Sequence, residues 1–168
     1  MDGLLGTPAP HGAGGFTLIE LLVVMLLIGI LAATVAPRFF NQSAFEGPAF
    51  AFDLAAAARY GQKLAVSSGC AVEFALPDAS SYRLRHANAP ANCGTDYSLD
   101  VTHPATGSAF AGNAPPNVSI ATTAAFPVIV VFSAQGTPAL PDPANDLVLG
   151  VAGKSVTIHR GSGYVEVQ

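Results

Sequence analysis

From Phe16 to Ala36 almost every position is apolar, and from Leu21 to Ala36 no side chain is charged. As a helix these 21 residues would measure about 31 Å, close to the hydrocarbon thickness of a bilayer. A buried core helix would show a polar face, and this run has none. A secretory signal peptide has an apolar region of about 7–15 residues ending at small residues. Ala32, Ala33 and Ala36 could mimic such a site, but the run is longer and carries a carboxylate near its start, Glu20. A charge inside a span costs on the order of 3 kcal/mol or more, so Glu20 is read as functional, its natural partner a cation from another chain.

The pattern then changes. Pro37 is expected to kink or interrupt the helix, and Arg38 to mark the membrane boundary. Residues 41–47 are polar and loosely patterned, and Pro48 is expected to open a second helix at its first turn. Between Ala49 and Ser68, the residues Phe50, Leu54, Ala57, Ala58, Gly61, Leu64, Ala65 and Ser68 recur at spacings of three and four, a mainly apolar stripe. Asp53, Arg59, Gln62 and Lys63 fall off it. The stripe serves either as head core or as a packing face for neighbours. Gly69 is placed as a C-cap. Beyond it the period becomes two. Strands are predicted over Cys70–Leu76, Tyr82–His86, Val118–Thr122, Val128–Phe132, Leu147–Val151, Ser155–His159 and Tyr164–Val167, with a short one at Tyr97–Val101. Ala87 to Pro116 is otherwise irregular. The fold class predicted is α+β: a long N-terminal helix, half in the membrane and half packed on the head, against a small antiparallel sheet. The divisions are 1–15, 16–37, 38–69 and 70–168.

The segment Gly14-Gly15-Phe16-Thr17-Leu18-Ile19-Glu20-Leu21-Leu22-Val23 resembles the prepilin processing motif of type IV pilins and type II secretion pseudopilins. The resemblance implies that residues 1–15 are a leader, cut after Gly15 by a prepilin peptidase. Phe16 would become the N-methylated mature N-terminus. Glu20 would pair with the free amine of a neighbouring subunit, since an amine and a carboxylate stripped of water prefer each other to lipid. The family leader usually carries Lys or Arg before the glycine; here there is only His11 and the starting amine, so the positive-inside signal is weak. Farther along, Ala58-Arg59-Tyr60-Gly61-Gln62-Lys63-Leu64-Ala65, Phe132-Ser-Ala-Gln-Gly136, Val156-Thr-Ile-His and Gly163-Tyr164-Val165 are similar to GspH/FimT-type minor pseudopilins. Ala36-Pro37-Arg38-Phe39-Phe40 is similar to MSHA-type minor pilins. The resemblance implies a pilus or pseudopilus subunit in the inner membrane with its head in the periplasm. Its implied partners are the peptidase, other pilin subunits and the inner-membrane assembly platform.

Composition adds exclusions. Only 11% of residues are charged and the net charge is −4. The seven Lys and Arg are scattered, without the basic stripe that tracks phosphates. Arg83 and Arg85 share one side of a strand, with Lys154 and Arg160 as further cations; this is the thin basis for an alternative, a DNA- or surface-binding minor pilin. Nucleic acid is not an expected partner. Cys70 and Cys93 form no C-x-x-C pair. In a head outside the cytoplasm they fit one disulfide, the alternative being two buried thiols. His86, His103 and His159 lack helix-spaced partners, so no metal site is expected. Asp142-Pro-Ala-Asn145-Asp146 could offer oxygens to calcium but lacks the EF-hand spacing, which favours a solvated turn. Ser162 is not in a nucleophile elbow. No cofactor and no catalytic constellation is expected, so an enzyme is the least supported class.

Overall fold

The computed structural model describes residues 15–39, 43–87 and 93–168, with side chains described throughout these except at 33–39 and 43–44. The expected leader lies outside them apart from Gly15, as does the junction at 40–42; the side chains of Pro37 and Arg38 are likewise outside the description. The chain divides into two units, residues 1–41 and 42–168.

The first unit holds helix α1, Leu18–Phe39. It runs past Pro37 to Phe39. Apart from Glu20, its described side chains are apolar, and they are exposed all the way round: Leu26 at 59%, Leu27 at 53% and Ile28 at 59% follow one another at about 100° around the axis. Leucine, methionine and isoleucine are good to fair helix formers, so the backbone is satisfied within the segment while nothing in the unit covers its surface. Among the described residues no helix is long and apolar enough to cross a membrane; the described side chains of α1 end at Ala32.

The second unit opens with helix α2, Ser43–Ser68. It starts five residues before Pro48, so Pro48 lies inside the helix instead of opening it. The missing N–H leaves one helical hydrogen bond unmade, close to the end, where the first four N–H groups have no partner anyway. Gly69, at φ +71°, ends the helix as a left-handed cap. The stripe is seated in the core: Phe50, Leu54, Ala57, Ala58 and Ala65 are buried, joined by Ala51 and Ala55. Leu64 is half-buried and Ser68 is exposed.

Among the described residues ten strands follow, in two antiparallel sheets. They are β1 Val72–Asp78, β2 Ser81–His86, β3 Leu99–Asp100, β4 Ala111–Asn113, β5 Ile120–Ala121, β6 Val128–Phe132, β7 Pro138–Ala139, β8 Leu147–Val151, β9 Lys154–Ile158 and β10 Val165–Val167. One sheet has the order β3-β2-β1-β6-β7, with β4 also on the free edge of β2; the other has the order β10-β9-β8-β5. Helix α2 touches strands of both. The inward residues alternate as a half-buried sheet requires: Phe74 and Leu76 of β1, Val130 and Phe132 of β6, Leu149 and Val151 of β8, and Val156 and Ile158 of β9 form one core with the helix.

The expected single sheet is thus divided. The reason lies between β6 and β8, where Pro138, Pro141 and Pro143 supply no N–H donors and cannot prolong a ladder. The chain leaves the first sheet after the two residues of β7 and at Leu147 returns to the second, which β5 had already entered. A backbone bond ties the halves: Ile120 N–H of β5 donates to Ala79 O of the β1–β2 turn at 2.7 Å. The short strands β4 and β7 carry no alternation that a sequence pattern could register.

Gly61 marks a close approach of helix to sheet. A Cβ there would lie 2.7 Å from Leu84 Cδ2, with no room for a methyl group. Gly61→Val is expected to destabilise the head by about 1–3 kcal/mol through overpacking. Urea denaturation of the variant checks this; an unchanged midpoint would show that the helix can move away from β2 freely.

Candidate processing and assembly site

Three described residues, Gly15 to Thr17, precede α1. Gly15 has nothing within 4 Å of where a Cβ would stand, and Phe16 is 82% exposed. Thr17 is the N-cap. Its hydroxyl accepts the Glu20 N–H at 3.3 Å, and its carbonyl accepts the N–H groups of Glu20 and Leu21 at 3.1 and 3.2 Å. Thr17-Leu-Ile-Glu20 is the threonine-x-x-glutamate pattern of a capping box. The sequence reading valued Glu20 for its charge and passed over this signal. Glu20 therefore stands in the first helical turn, where the helix dipole favours an anion. The arrangement leaves a peptide bond, Gly15–Phe16, in exposed chain outside any helix or strand, followed by a helix whose first turn carries one carboxylate.

Comparison with known families bears on this segment. Residues 11–36 match the prokaryotic N-terminal methylation motif. This chain carries that motif. The match takes in Gly15, Phe16 and Glu20 and stops one residue before Pro37, so the motif accounts for the apolar run and leaves the head untouched. Two crystal structures of the type IV minor pilin FimU of Pseudomonas aeruginosa are similar to this chain, each with 18% identity. One has a TM-score of 0.48 and covers 76% of this chain and 91% of FimU. The other has a TM-score of 0.49 and covers 79% and 90%. Likeness at that level assigns no residue a role. No curated protein matches the chain.

The other candidates from the sequence are scattered over the head. Cys70 and Cys93 are joined in a disulfide with a Cα–Cα distance of 4.9 Å. It links the residue after Gly69 to the segment leading into β3. His86 Nδ1 lies 2.9 Å from the Ala87 carbonyl, and His103 Nδ1 accepts the Ala105 N–H at 3.1 Å. His159 sits between two carboxylates, 2.8 Å from Asp146 and 3.4 Å from Glu166, on opposite sides of its ring. Such an arrangement braces β8, β9 and β10 and does not converge on a point. Among the described residues no group of three His, Cys, Asp or Glu side chains is placed to hold a metal. Ser162 lies in the β9–β10 turn, where its hydroxyl accepts the Tyr164 N–H at 3.2 Å.

The acidic turn is occupied by its own donors. Asp142 accepts the Asn145 amide and the Ala144 N–H, both at 2.8 Å. Asp146 accepts the Arg160 N–H at 2.9 Å and faces His159. In the β1–β2 turn Asp78 accepts the Ser80 hydroxyl and N–H, both at 2.7 Å. These bonds hold all three carboxyls below the ordinary value of 3.8: the Ser80 hydroxyl first for Asp78, the Asn145 amide first for Asp142, and the Arg160 N–H first for Asp146. A depressed native pKa contributes stability that is complete above the unfolded value and is lost as pH falls through the native one. The melting temperature of the head is therefore expected to hold down to about pH 4 and to fall as the pH drops below it. Asp78→Asn would flatten that decline, as thermal scans across the range would show.

The four cations named from the sequence do not form a patch. Arg83 and Arg85 do share the outer face of β2, but the register places Glu73 and Asp100 on either side of Arg85, and Arg85 Nε is 3.8 Å from Asp100. Lys154 and Arg160 belong to the other sheet or its margin. Two polar residues of α2 matter more than the sequence reading allowed. Arg59 Nε donates to the Val165 carbonyl at 3.0 Å. The Gln62 amide donates to the carbonyls of Gly136 at 2.9 Å and Ser162 at 2.8 Å. Together they pin the C-terminal strand and two turns to the helix. Lying off an apolar stripe is the only signal either gave, and solvent-facing residues give the same one.

Proposed function

We propose that this protein is a minor pilin or pseudopilin. It is cut by a prepilin peptidase after Gly15, methylated on the Phe16 amine, and added to a type IV pilus or type II secretion pseudopilus, or used to prime one. The methylation motif at residues 11–36 carries this reading. It is supported by a helix that runs from Leu18 to Phe39 with apolar side chains exposed on all sides and one carboxylate in its first turn. In this reading residues 16–37 hold the subunit in the inner membrane, and the head stands in the periplasm, where a disulfide is stable. Glu20 meets the amine of a neighbouring subunit. In hydrocarbon each charge alone is strongly disfavoured, so the pair is worth more than in water. The head is a structural body, not a catalyst: its carboxylates and histidines are engaged in capping turns and bracing strands.

The test is the mass of the protein's own N-terminus. Protein recovered from membranes is expected to begin at Phe16 with a methylated amine. A chain that still begins at Met1, or one recovered as a freely soluble species beginning near Pro37, overturns the reading.

A further inference from the structure

Between β3 and β4 the chain leaves the flank of β2 as a small hairpin. Val101 N–H donates to Leu84 O at 3.0 Å, Leu84 N–H to Phe110 O at 2.9 Å, and Phe110 N–H to Val101 O at 2.6 Å. These bonds close the hairpin at its base. Farther out, His103 N–H donates to Ser108 O at 2.7 Å. Between this hairpin and α2 lies a hollow of about 310 Å³, whose lining includes Asp53, Ala56, Tyr82, His103, Thr106 and Ser108. Asp53 and Ala56 stand three positions apart on one side of the helix, and Ala56 contributes only a methyl group.

Tyr82 is the residue of that lining that a core role does not explain in full. It is 7% exposed, and its ring lies between Phe50 and Phe74 at centroid distances of 5.9 and 6.3 Å. A Cβ on Gly112, its partner on β4, would stand 2.7 Å from the phenol oxygen, so that glycine makes room for the hydroxyl. A buried tyrosine hydroxyl ordinarily bonds to a neighbour. Among the described residues this one has no hydrogen-bond partner, and neither has the Asp53 carboxylate. Burial, with the Asp53 charge beside it, raises the Tyr82 pKa above the ordinary 10.0, so the hydroxyl keeps its proton and can donate it. His103 Nδ1 accepts the Ala105 N–H, which leaves the ring proton on Nε2. The Thr106 and Ser108 hydroxyls bond to each other at 2.7 Å, so one O–H of the pair stays free.

We infer that this hollow binds a neutral sugar, with the Asp53 carboxylate accepting from ring hydroxyls and the Tyr82 hydroxyl donating to one. The set of groups selects that class. An ammonium only donates; it would leave the His103 N–H without an acceptor and the Tyr82 proton unused. A carboxylate or phosphate would meet the negative charge of Asp53. A sugar hydroxyl both donates and accepts, so it can satisfy the carboxylate, the phenol, the imidazole N–H and the hydroxyl pair alike. The volume sits at the small end of ligand sites, roughly 300–1,000 Å³, which suits one sugar ring and not a longer chain. Asp53 and Tyr82 belong to α2 and β2, and the other polar groups to a hairpin closed at its base, so the site is built before a ligand arrives.

The experiment uses the full chain in micelles of an amine-oxide detergent, which has no sugar headgroup. Saturation-transfer difference NMR follows glucose, galactose, mannose and N-acetylglucosamine one at a time, and n-butylammonium as the competing chemistry. Transfer to at least one of the sugars is expected. Asp53→Asn should weaken that binding about tenfold or more, and Tyr82→Phe about threefold. Tyr82→Phe removes one oxygen and keeps the ring between Phe50 and Phe74, and Asp53 is exposed, so both variants should melt with the parent chain while losing the sugar. No transfer to any of the four sugars overturns the inference. So does sugar binding that survives either substitution undiminished, or butylammonium binding more tightly than every sugar.

Discussion

Replacing Glu20 by alanine is expected to leave the protein processed and in the membrane but to lower its incorporation into filaments by about a hundredfold. The magnitude follows from the cost of an unmet charge in hydrocarbon, on the order of 3 kcal/mol, where each 1.4 kcal/mol is a factor of about ten. In the assembled state the neighbour's amine would lose its carboxylate and stand alone. Membrane retention should survive because the apolar run that follows Glu20 is unchanged.

The capping-box sequence complicates that substitution, since Glu20 is also the third residue of the helix that Thr17 caps. Its glutamine variant separates the two roles. A glutamine keeps the side-chain oxygen that serves a capping box but carries no charge. Loss of the favourable dipole contact alone would amount to about 0.3–1 kcal/mol, less than a tenfold effect. If assembly depends on ion pairing, Glu20→Gln falls nearly as far as Glu20→Ala. Normal incorporation of the glutamine variant, measured as the ratio of filament to membrane protein, would reduce Glu20 to a helix cap.

The contrast between the two units shows which physics a sequence displays. The apolar run at 16–36 was legible because composition alone decides it; no partner in space needs to be known. The stripe on α2 was nearly as plain, since Phe50, Leu54 and Ala58 repeat at the helical period. The strands Val128–Phe132 and Leu147–Val151 stood out through β-branched residues bounded by turn formers. What stayed hidden depends on contacts distant in sequence. Nothing local to Gln62 announces that its amide bridges the turns at Gly136 and Ser162, 74 and 100 residues away. Nor does Pro138 announce a strand, since a two-residue ladder exists only because β6 lies beside it. The division into two sheets was foreshadowed by the prolines after Gly136, but a proline run reads equally as a loop. At the start of α1 the opposite holds: Thr17 and Glu20 stand side by side in the sequence, and the charge of Glu20 outweighs in a sequence reading its place as the third residue of a helix that Thr17 caps.

Breaking the disulfide should have the largest effect on the head itself. Cys70 and Cys93 close a loop with a sequence separation of 23, which contains β1 and β2 and so spans the centre of the six-stranded sheet. In the chain-entropy account a loop of this length is worth about 3 kcal/mol, by limiting the unfolded ensemble. The paired change Cys70→Ser with Cys93→Ser is expected to lower stability by about that much and to lower the melting temperature by several degrees or more. The fold itself should persist, because Val72, Phe74, Leu76 and Leu84 inside the loop are buried on α2 and do not rely on the bond for their place. The measurement is urea denaturation of oxidised protein, reduced protein and the double variant. Agreement of the last two, both well below the first, assigns the loss to the cross-link. If the oxidised protein and the double variant unfold at the same urea concentration, the bond contributes nothing to the head, and the hydrophobic contact of β1 and β2 with the helix is sufficient to hold this loop closed.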